Sequence, residues 1–361
     1  MTLDPRHPLG PDFLAAVQAS LDGFFATQAD LAPLVDARLD EVWDQARHFA
    51  EGGKRVRPGF CYWAYVGATG EEPPRPVIDV AASLDLLHMS ALVHDDLIDA
   101  SDLRRGAPAA HRLFEAYHRS QSWQGEPEQF GAAAAILLGD LLFTWSVTMA
   151  EQAGLAPDRM AQARPYLHAV RTEVLAGQYL DLFQQGQPLN PETVMAEAHL
   201  VMDYKTAKYT VARPAQIGAA LGLADDQAHR GLGAFGTHIG YAYQMRDDLL
   251  GVFADPALTG KPSGDDLRAG KKTVLVAYGL QQATPTQAAQ LIKLLGNPEL
   301  SEQDIAEART ILEDCGARAS TETAIAAETT AGVACLEQLG LSEEGTEALS
   351  TLAYQVAERE T

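Results

Sequence analysis

The sequence LDLLHMSALVHDDLIDASDLRR, residues 84–105, predicts a helix with one buried side. Its leucines and other apolar residues recur at intervals of three and four positions, which is the period of an amphipathic helix. His88, Asp95 and Asp99 stand at positions i, i+7 and i+11, so they share another stripe of the same helix. One face therefore suits a protein core, and another carries groups that can bind a ligand.

The carboxylates of this stretch indicate a bound cation. Asp95, Asp96 and Asp99 would repel one another on a largely apolar helix unless a cation or a cationic side chain lay between them. Oxygen ligands on a rigid element suit Mg²⁺, which usually keeps waters and shares its shell with substrate phosphates. Arg104 and Arg105 follow immediately, and the arginine fork matches phosphate oxygens. The stretch thus predicts a magnesium-dependent diphosphate site.

Helical periodicity continues through the rest of the chain. Of the 361 residues 47% are apolar, which is enough for a substantial core. No run of alternating β-branched residues stands out. We therefore expect an all-α fold, a single-domain helical bundle over residues 1–361 with a loose N-terminal arm at about residues 1–11.

The net charge of −22 restricts the class of partner. Nucleic-acid binding calls for a basic face, so we expect no nucleic-acid partner. Because acidic residues outnumber basic ones, the few clusters of basic residues are more informative here than in a basic chain. The three cysteines, Cys61, Cys315 and Cys335, are scattered and lack metal-ligand spacing, which favours a reducing, cytoplasmic location.

No segment is predicted to anchor the chain to a membrane. The N-terminal sequence MTLDPRHPLG has no apolar core of a signal peptide. No apolar run approaches the length that a bilayer requires. We expect a soluble protein without a stable membrane anchor.

A basic turn lies at residues 52–58, GGKRVRP. The two glycines release the chain from helical geometry, and three cations follow before Pro58 starts a new helix. An isolated turn of this kind would usually be a solvated basic loop. In a chain this acidic, with a diphosphate site predicted elsewhere, we interpret it as an anion site.

A second acidic stretch lies at residues 243–273. Gln244, Asp247 and Asp248 share a helix face at i, i+3 and i+4. The glycine-containing loop that follows presents Lys261 and Lys271. This stretch repeats the combination of carboxylates and cations found at residues 84–105.

Four pairs of adjacent aspartates occur in the chain, at 95–96, 225–226, 247–248 and 265–266. The pairs at 95–96 and 247–248 lie inside apolar helical windows, where unpaired charge is costly, so a functional role is favoured. The pair at 225–226 is most simply a solvated helix start. The pair at 265–266 is explained if it only organises its loop.

Together these stretches resemble the trans-isoprenyl diphosphate synthases, the polyprenyl synthetase family. The resemblance runs from about residue 52 to residue 273, and DDLLG with the loop behind it resembles actinobacterial geranylgeranyl diphosphate synthases. DDLID at residues 95–99 is similar to the family's first aspartate-rich motif, and DDLLG at 247–251 to the second. The resemblance implies an all-helical fold around a deep central cavity, a homodimer, and Mg²⁺-assisted head-to-tail condensation of an allylic diphosphate with isopentenyl diphosphate.

The resemblance also implies a role for individual residues. The isopentenyl diphosphate ligands would be Lys54, Arg57, His88 and Arg105. The allylic diphosphate would be held by Arg104, Lys205, Thr206 and Lys261, with Gln244 and Lys271 nearby. The direct magnesium ligands would be Asp95, Asp99 and Asp247. The residues that orient ligands, waters or lysines would be Asp96, Asp181 and Asp248. The catalytic set would be Asp95, Asp96, Asp99, Arg104, Lys205, Asp247 and Lys261.

One position departs from the family pattern. The second motif usually ends in a third aspartate, and here that position is Gly251. The missing member is the one least suited to touch metal directly, so we expect activity to survive. Whether Asp255 compensates is left open by the sequence.

The residues before the first motif bear on product length. Ser90 and Ala91 stand where bulky aromatic residues stop chain growth early in this family, and both are small. Ala91 lies one turn before Asp95, about 6 Å along the axis. The floor of the cavity is then expected deeper, at Phe143, Trp145 or Met89. This favours geranylgeranyl diphosphate as product and leaves farnesyl or longer products as alternatives.

Three other functions would each account for part of this sequence. A class I terpene cyclase would share the first motif but would not need a second diphosphate site. A His-Asp metal phosphohydrolase could use His94 and Asp95, but it needs further histidine ligands. A non-catalytic subunit of a heteromeric synthase should have lost its first aspartate motif, which is intact here.

Overall fold

The computed structural model describes residues 3–29, 35–254 and 264–359, and these residues are almost entirely helical. Within those ranges the sheet consists of one antiparallel pair of two-residue strands, Leu103–Arg104 (β1) and Ala107–Pro108 (β2). The predicted all-α class is confirmed.

The chain forms two compact units. The first, unit 1, comprises Met1–Ala163, Gly218–Leu223 and Ser342–Ala348. The second, unit 2, comprises Arg164–Ile217, Ala224–Leu341 and Leu349–Thr361. The assignment of both units to one domain stays a prediction.

Unit 1 is built around a long central helix. Its described helices are α1 (Pro11–Ala29), α2 (Asp40–Ala50), α3 (Val56–Thr69), α4 (Arg75–Ile98), α5 (Ala110–Ser120) and α6 (Pro127–Glu151). Helix α4 packs along α6 and also against α1 and α3, while α5 packs mainly against α6. The central helix therefore presents the predicted charged stripe from a rigid, largely buried element.

The helix predicted over residues 84–105 ends earlier, at Ile98. The backbone N–H of Asp99 caps it by donating to the carbonyl of Asp95 at 2.8 Å. Arg104 and Arg105 then belong to the β1–β2 hairpin. Arg105 and Gly106 form its two-residue turn, and both have positive φ angles, which suits the right-handed twist of a tight hairpin. The arginines are thus carried by a turn rather than by the helix.

The N-terminal arm makes a specific contact with α3. The Nε1–H of Trp63, on α3, donates to the carbonyl of Pro8 at 2.9 Å. Pro8 is buried, and Trp63 is among the most buried large side chains. A buried indole N–H needs an acceptor, and the arm supplies it.

Unit 2 is organised around helix α10. Its described helices, some of which extend into unit 1, are α7 (Pro157–Gln185), α8 (Val194–Val201), α9 (Arg213–Leu221), α10 (Asp226–Phe253), α11 (Asp265–Arg268), α12 (Val274–Gln282), α13 (Pro285–Leu294), α14 (Glu302–Asp314), α15 (Ala317–Leu336) and α16 (Glu343–Ala357). A π-helix, Met202–Ala212, joins α8 to α9. Helix α10 packs against this π-helix and against α15.

The start of α10 confirms the interpretation of the aspartate pair at 225–226. Asp225 is the N-cap, and its Oδ1 accepts from the backbone N–H of Ala228 at 2.9 Å. Further along, a Cβ at Gly240 would collide with Ala207 of the π-helix, so glycine allows the two helices to approach closely. This close contact holds the π-helix against α10, the helix that carries the second aspartate motif.

The expectation that no apolar run is long enough to span a bilayer is wrong. By length and composition, α4 and α6 could each cross a membrane. The apolar windows of these helices are 67% and 39% buried inside the protein, respectively. A core helix of a soluble protein passes the same test, so this is weak evidence of insertion.

Candidate active site

The basic turn at residues 52–58 is held by the middle one of its three cations, Arg55. Arg55, at φ +51°, pairs with the carboxylate of Asp85 and donates to Gln18 and to the carbonyl of Ala50, both at 2.6 Å. Burial, and then the charge of Arg105, lower the pKa of Arg55 to about 10. Of the three cations in this turn, Arg55 therefore has a structural role, and Lys54 and Arg57 remain as the predicted diphosphate ligands.

The hairpin brings Arg105 to this turn. A Cβ at Gly53, which has a φ of +91°, would lie only 3.2 Å from Arg105 Nη2 and 3.4 Å from Nη1. The guanidinium group therefore packs on bare glycine backbone. Lys54 is exposed, while Arg57 is 7% exposed on the first turn of α3. The structure thus brings three of the predicted isopentenyl diphosphate ligands into one region of unit 1.

His88 lies within reach of the same positive charges. Burial is the main cause that lowers its pKa well below the ordinary value of 6.5, and the charges of Arg57 and Arg105 lower it further. The imidazole is therefore neutral at neutral pH. It can donate one hydrogen bond without adding another cation to the cluster.

The first aspartate motif divides into exposed and buried members. Asp95 and Asp99 are partly exposed and stand one helical turn apart. Asp96 is 1% exposed, and it accepts from Arg104 Nε at 2.9 and 3.0 Å and from Nη2. Arg104 Nη2 also lies 3.8 Å from Asp95. Asp96 thus orients Arg104, whose guanidinium group is paired with carboxylates of the first motif.

The π-helix positions Lys205 in unit 2. Lys205 Nζ lies 2.6 Å from Asp181 Oδ2 on α7, which agrees with a role for Asp181 in orienting a lysine. A Cβ at Gly177 would collide with the backbone of Lys205, so α7 approaches the π-helix at a glycine. π-Helical segments are rare and occur frequently at functional sites. Helical periodicity alone gave no sign of this one.

Thr206 begins a chain of hydrogen bonds to the second motif. Its hydroxyl donates to Gln244 Oε1, and Gln244 Nε2 donates to Asp248 Oδ1 at 2.8 Å. Burial is the main cause that raises the pKa of Asp248 well above its ordinary value, and the charges of Asp266 and Asp247 raise it further. Asp248 is therefore buried and hydrogen-bonded, whereas Asp247 is partly exposed.

Two residues at the second motif were missed by sequence reasoning. Arg359 pairs with Asp247, and Asp266 Oδ1 lies 3.1 Å from Lys271 Nζ. Nothing in the local pattern marks Arg359, which is far from the motif along the chain. Asp266 belongs to a pair that was interpreted only as organising its loop.

Two predicted positions cannot be placed. Lys261, assigned to the allylic diphosphate and the catalytic set, and Asp255, considered as a substitute for the third aspartate, both lie outside the described residues.

The chain-length residues occupy different environments. Ser90 and Met89 are buried and Ala91 is partly buried on α4, so Ala91 is the small residue with space beside it. Trp145 is buried in an aromatic cluster with Phe24, Phe25 and Trp43, at ring-centre distances of 5.3–6.2 Å. Phe143 is partly buried on α6. The ring contacts of Trp145 join α1, α2 and α6.

The metal phosphohydrolase alternative is not supported by the surroundings of His94. Its ring fits against Gly139 of α6, and Nε2 lies 3.2 Å from the carbonyl of Ile136. Asp140 Oδ1 is 3.6 Å away. Within residues 3–29, 35–254 and 264–359, no group of three or more His, Cys, Asp or Glu side chains could hold a metal ion by itself.

The arrangement matches a known family. A family model described as polyprenyl synthetase matches residues 40–312, which is more than half of the chain. The chain belongs to the polyprenyl synthetase family. The predicted family is confirmed, and the two aspartate motifs lie inside the matched range.

Individual members of the family show how far the likeness extends. The crystal structure of a geranylgeranyl pyrophosphate synthase from Corynebacterium glutamicum, complexed with isoprenyl diphosphate and magnesium, has 37% identity and a TM-score of 0.91, covering 99% of this chain and 100% of that one. The geranylfarnesyl diphosphate synthase of Aeropyrum pernix is 32% identical over 270 residues, 74% of this chain and 77% of the relative. The (2E,6E)-farnesyl diphosphate synthase of Mycobacterium tuberculosis is 30% identical over 314 residues, 85% of this chain and 80% of the relative.

Proposed function

We propose that this polyprenyl synthetase condenses isopentenyl diphosphate with allylic diphosphates in a magnesium-dependent reaction. The observation that carries the proposal is the cluster of Lys54, Arg57, His88 and Arg105 beside an intact first aspartate motif in unit 1. A terpene cyclase has no use for this second diphosphate site. Asp247, Lys205 and Thr206, all in unit 2, are the groups we assign to the allylic diphosphate on the family resemblance.

The donor set fits magnesium. Asp95, Asp99 and Asp247 offer partly exposed carboxylate oxygens, and each motif supplies one or two ligands rather than a closed cage. Mg²⁺ prefers oxygen ligands and completes its shell with waters and substrate phosphates, so it does not need a cage made of protein alone. When bound, magnesium would neutralise negative charge that develops on the allylic diphosphate as the carbon–oxygen bond breaks.

The side chains of the chain itself supply binding and orientation. Lys205, oriented by Asp181, would stabilise the departing diphosphate as its charge grows. Lys54, Arg57 and Arg105 would hold isopentenyl diphosphate so that its double bond attacks the allylic cation. Holding both reactants converts a bimolecular step into an effectively unimolecular one.

Proton removal ends each cycle. We assign the proton to the departing diphosphate, since neither motif presents a better-placed side-chain base. His88 supports this assignment because burial and the neighbouring arginine charges lower its pKa, which makes it a weak base. Apolar walls around the cation would exclude water, which would otherwise quench it.

Geranylgeranyl diphosphate is the product that we propose. Ala91 places no bulk one turn before Asp95, and α6 carries an aromatic cluster at Trp145 that could form a deeper floor. The relatives described above are named for farnesyl, geranylgeranyl and geranylfarnesyl products, so relatives of similar identity differ in product length. The small residue at position 91 argues against farnesyl diphosphate, the shortest of these products.

We also propose a homodimer, because both units expose apolar helix faces. On α7, Leu175, Tyr179, Leu182 and Phe183 follow helical spacing and are 48–66% exposed. On α6, Leu137 is 66% exposed. Large apolar patches on soluble proteins commonly mark protein interfaces. Light scattering of the wild type and of Tyr179→Lys tests this, and a monomeric wild type would refute it.

The experiment that tests the proposed activity is direct. The protein is incubated with isopentenyl diphosphate, magnesium and, in turn, dimethylallyl, geranyl and farnesyl diphosphates, and products are separated by chain length. We expect consumption of isopentenyl diphosphate and accumulation of geranylgeranyl diphosphate. Release of a cyclic hydrocarbon without isopentenyl diphosphate would favour a cyclase instead, and no reaction in any mixture would favour a non-catalytic subunit.

A further inference from the structure

Lys272 is a buried lysine to which neither predicted diphosphate site assigns a role. It lies in the loop between α11 and α12, within unit 2, and is 8% exposed. Lysine is rarely buried to this extent unless its ammonium group is paired, because an unpaired buried charge is costly. Among the residues that the structure describes, its hydrogen bonds go to main-chain oxygens and none goes to a carboxylate. A buried ammonium group thus links two segments of backbone.

The three acceptors lie in the last turn of α7 and just beyond it. Lys272 Nζ donates to the carbonyl of Gln184 at 2.5 Å, to that of Gln187 at 2.9 Å and to that of Pro188 at 3.5 Å. The last carbonyls of a helix lack partners within the helix, and a positive charge there is favourable against the helix dipole. Lys272 therefore caps the C-terminal end of α7 from a distant part of the sequence.

The same turn of α7 carries Asp181, the partner of Lys205. Asp181 stands three residues before Gln184, and its Oδ2 lies 2.6 Å from Lys205 Nζ. Gln184 also reaches α8, because its Nε2 donates to the carbonyl of Glu197 at 2.9 Å. Asp181 and Gln184 are both buried. The position of this helix end therefore determines where Asp181 holds Lys205.

The loop that carries Lys272 has little freedom of its own. Gly270 has a φ of +69°, and a Cβ there would lie 2.9 Å from the backbone Cα of Gly296. Thr273 is the N-cap of α12, and its hydroxyl accepts from a backbone N–H of the first turn at 3.2 Å. Lys271, the lysine predicted near the allylic diphosphate, lies between these two fixed points. A shift at Lys272 is therefore passed on to Lys271.

We propose that Lys272 is a positioning residue for the allylic diphosphate site. It ties the loop that presents Lys271 to the helix end at which Asp181 holds Lys205. The two lysines assigned to that substrate come from separate elements, and one buried ammonium group fixes these elements relative to each other. This inference rests on the proposed function. Lys272 touches neither substrate nor magnesium in this assignment, since its hydrogen bonds end on main-chain oxygens.

The test measures the binding of an unreactive allylic substrate. Geranyl S-thiolodiphosphate with Mg²⁺ is titrated by calorimetry into the wild type and into Lys272→Met, which nearly keeps the length of the side chain but has no donor. We expect a loss of about 10-fold in affinity, which is the order of effect that contacting residues have on one another. The KM for isopentenyl diphosphate, whose predicted ligands lie in unit 1, should stay at the wild-type value.

Two further variants separate positioning from a general effect of charge. Lys293→Met is the matched control, because it removes an exposed lysine of α13 and should bind the analogue as the wild type does. Lys272→Arg keeps a positive charge and several donors, so it should lose less affinity than Lys272→Met.

A double-mutant cycle tests the route of the effect. Asp181→Asn weakens the hold on Lys205 from the other side of the same helix turn. If Lys272 acts through Asp181 and Lys205, the loss of affinity in the combined variant should be smaller than the product of the two separate fold-losses. Losses that multiply in full would show that Lys272 does not act through this pair.

Three other results would overturn the inference. One is wild-type affinity for the analogue in folded Lys272→Met, and another is an equal rise of KM for both substrates. If circular dichroism shows Lys272→Met to be unfolded, Lys272→Gln is measured in its place. Failure of both to fold is the third, because the lysine would then be required for folding and not for placement. Failure of the proposed function looks different, because the wild type would then form no prenyl diphosphate whatever the variants bind.

Discussion

The guanidinium group of Arg359 forms an ion pair with Asp247, the predicted metal ligand of the second motif, and lies 3.9 Å from the ring centre of Tyr243. The residue before the motif, Arg246, donates its Nε–H to the carbonyl of Ala357 at 2.7 Å. Two consecutive residues of α10 therefore hold the C-terminal end of α16 and the residues just beyond it. Arg359 places a cation where a metal ion would need the Asp247 carboxylate.

Replacing Arg359 should make metal binding tighter. Arg359→Gln removes the competing cation, and because Asp247 is partly exposed we expect a gain of only about two- to fivefold in affinity. The measurement is a Mn²⁺ titration without substrate, with Arg6→Gln, an exposed arginine, as control. Weaker Mn²⁺ binding in Arg359→Gln would show that Arg359 supports the site instead of competing for it.

The residues that were predicted correctly have local signals. Asp225 was interpreted as a helix start, and it caps α10 as expected, because capping depends on residues within one turn. Asp266 and Arg359 have no such signal. Asp266 and Arg359 reach the second motif because the short helix α11 and the residues after α16 pack beside α10. Hydrophobic periodicity cannot predict such contacts between distant parts of the chain.

The position of Lys205 shows a second limit of sequence reasoning. Its helical segment was predicted, but the π-helix was not, since periodicity arguments assume 3.6 residues per turn. The wider turn and the close approach of Gly177 determine how Lys205 meets Asp181. The sequence shows that a lysine stands at position 205, whereas the direction of its side chain depends on how α7 packs against the π-helix.

Asp95→Ala should nearly abolish turnover without unfolding the protein. Asp95 is partly exposed, so its loss leaves no cavity in the core, but it removes a predicted magnesium ligand. We expect kcat to fall by orders of magnitude, with an unchanged circular dichroism spectrum. Asp226→Ala, in the aspartate pair at the start of α10, should keep wild-type activity. Near-wild-type condensation by folded Asp95→Ala would end the assignment of this ligand.

The two diphosphate sites should separate kinetically. Lys54→Ala and Arg57→Ala should mainly raise the KM for isopentenyl diphosphate, because that binding is largely uniform through the reaction. Lys205→Ala should act on the allylic substrate. Initial rates measured while each substrate is varied in turn distinguish these effects. The reverse pattern would show that the two sites had been exchanged.

The depressed pKa of His88 predicts a pH dependence of stability. Below pH 6.5 the unfolded chain binds a proton at His88 that the folded chain does not bind, so the free energy of unfolding falls as pH drops from 6.5 towards the folded pKa. Above pH 6.5 this contribution is constant. His88→Gln should flatten the loss below pH 6.5 in urea unfolding. The exposed His48→Gln is the control, and an equally steep loss in His88→Gln would contradict the shift.

Product length should respond to the size of residue 91. Ala91 is partly buried on α4, one turn before Asp95, whereas its neighbour Ser90 is buried in the core. A phenyl ring at position 91 can therefore be accommodated beside the first motif, but at position 90 it would overpack the helix interface. Ala91→Phe should raise the floor of the cavity and change the main product from geranylgeranyl to farnesyl diphosphate, while Ala91→Ser, which adds little volume, should not. Products are compared by chromatography at equal consumption of isopentenyl diphosphate. A wild type that already stops at farnesyl diphosphate, or an Ala91→Phe variant with unchanged products, would place the floor elsewhere than beside α4.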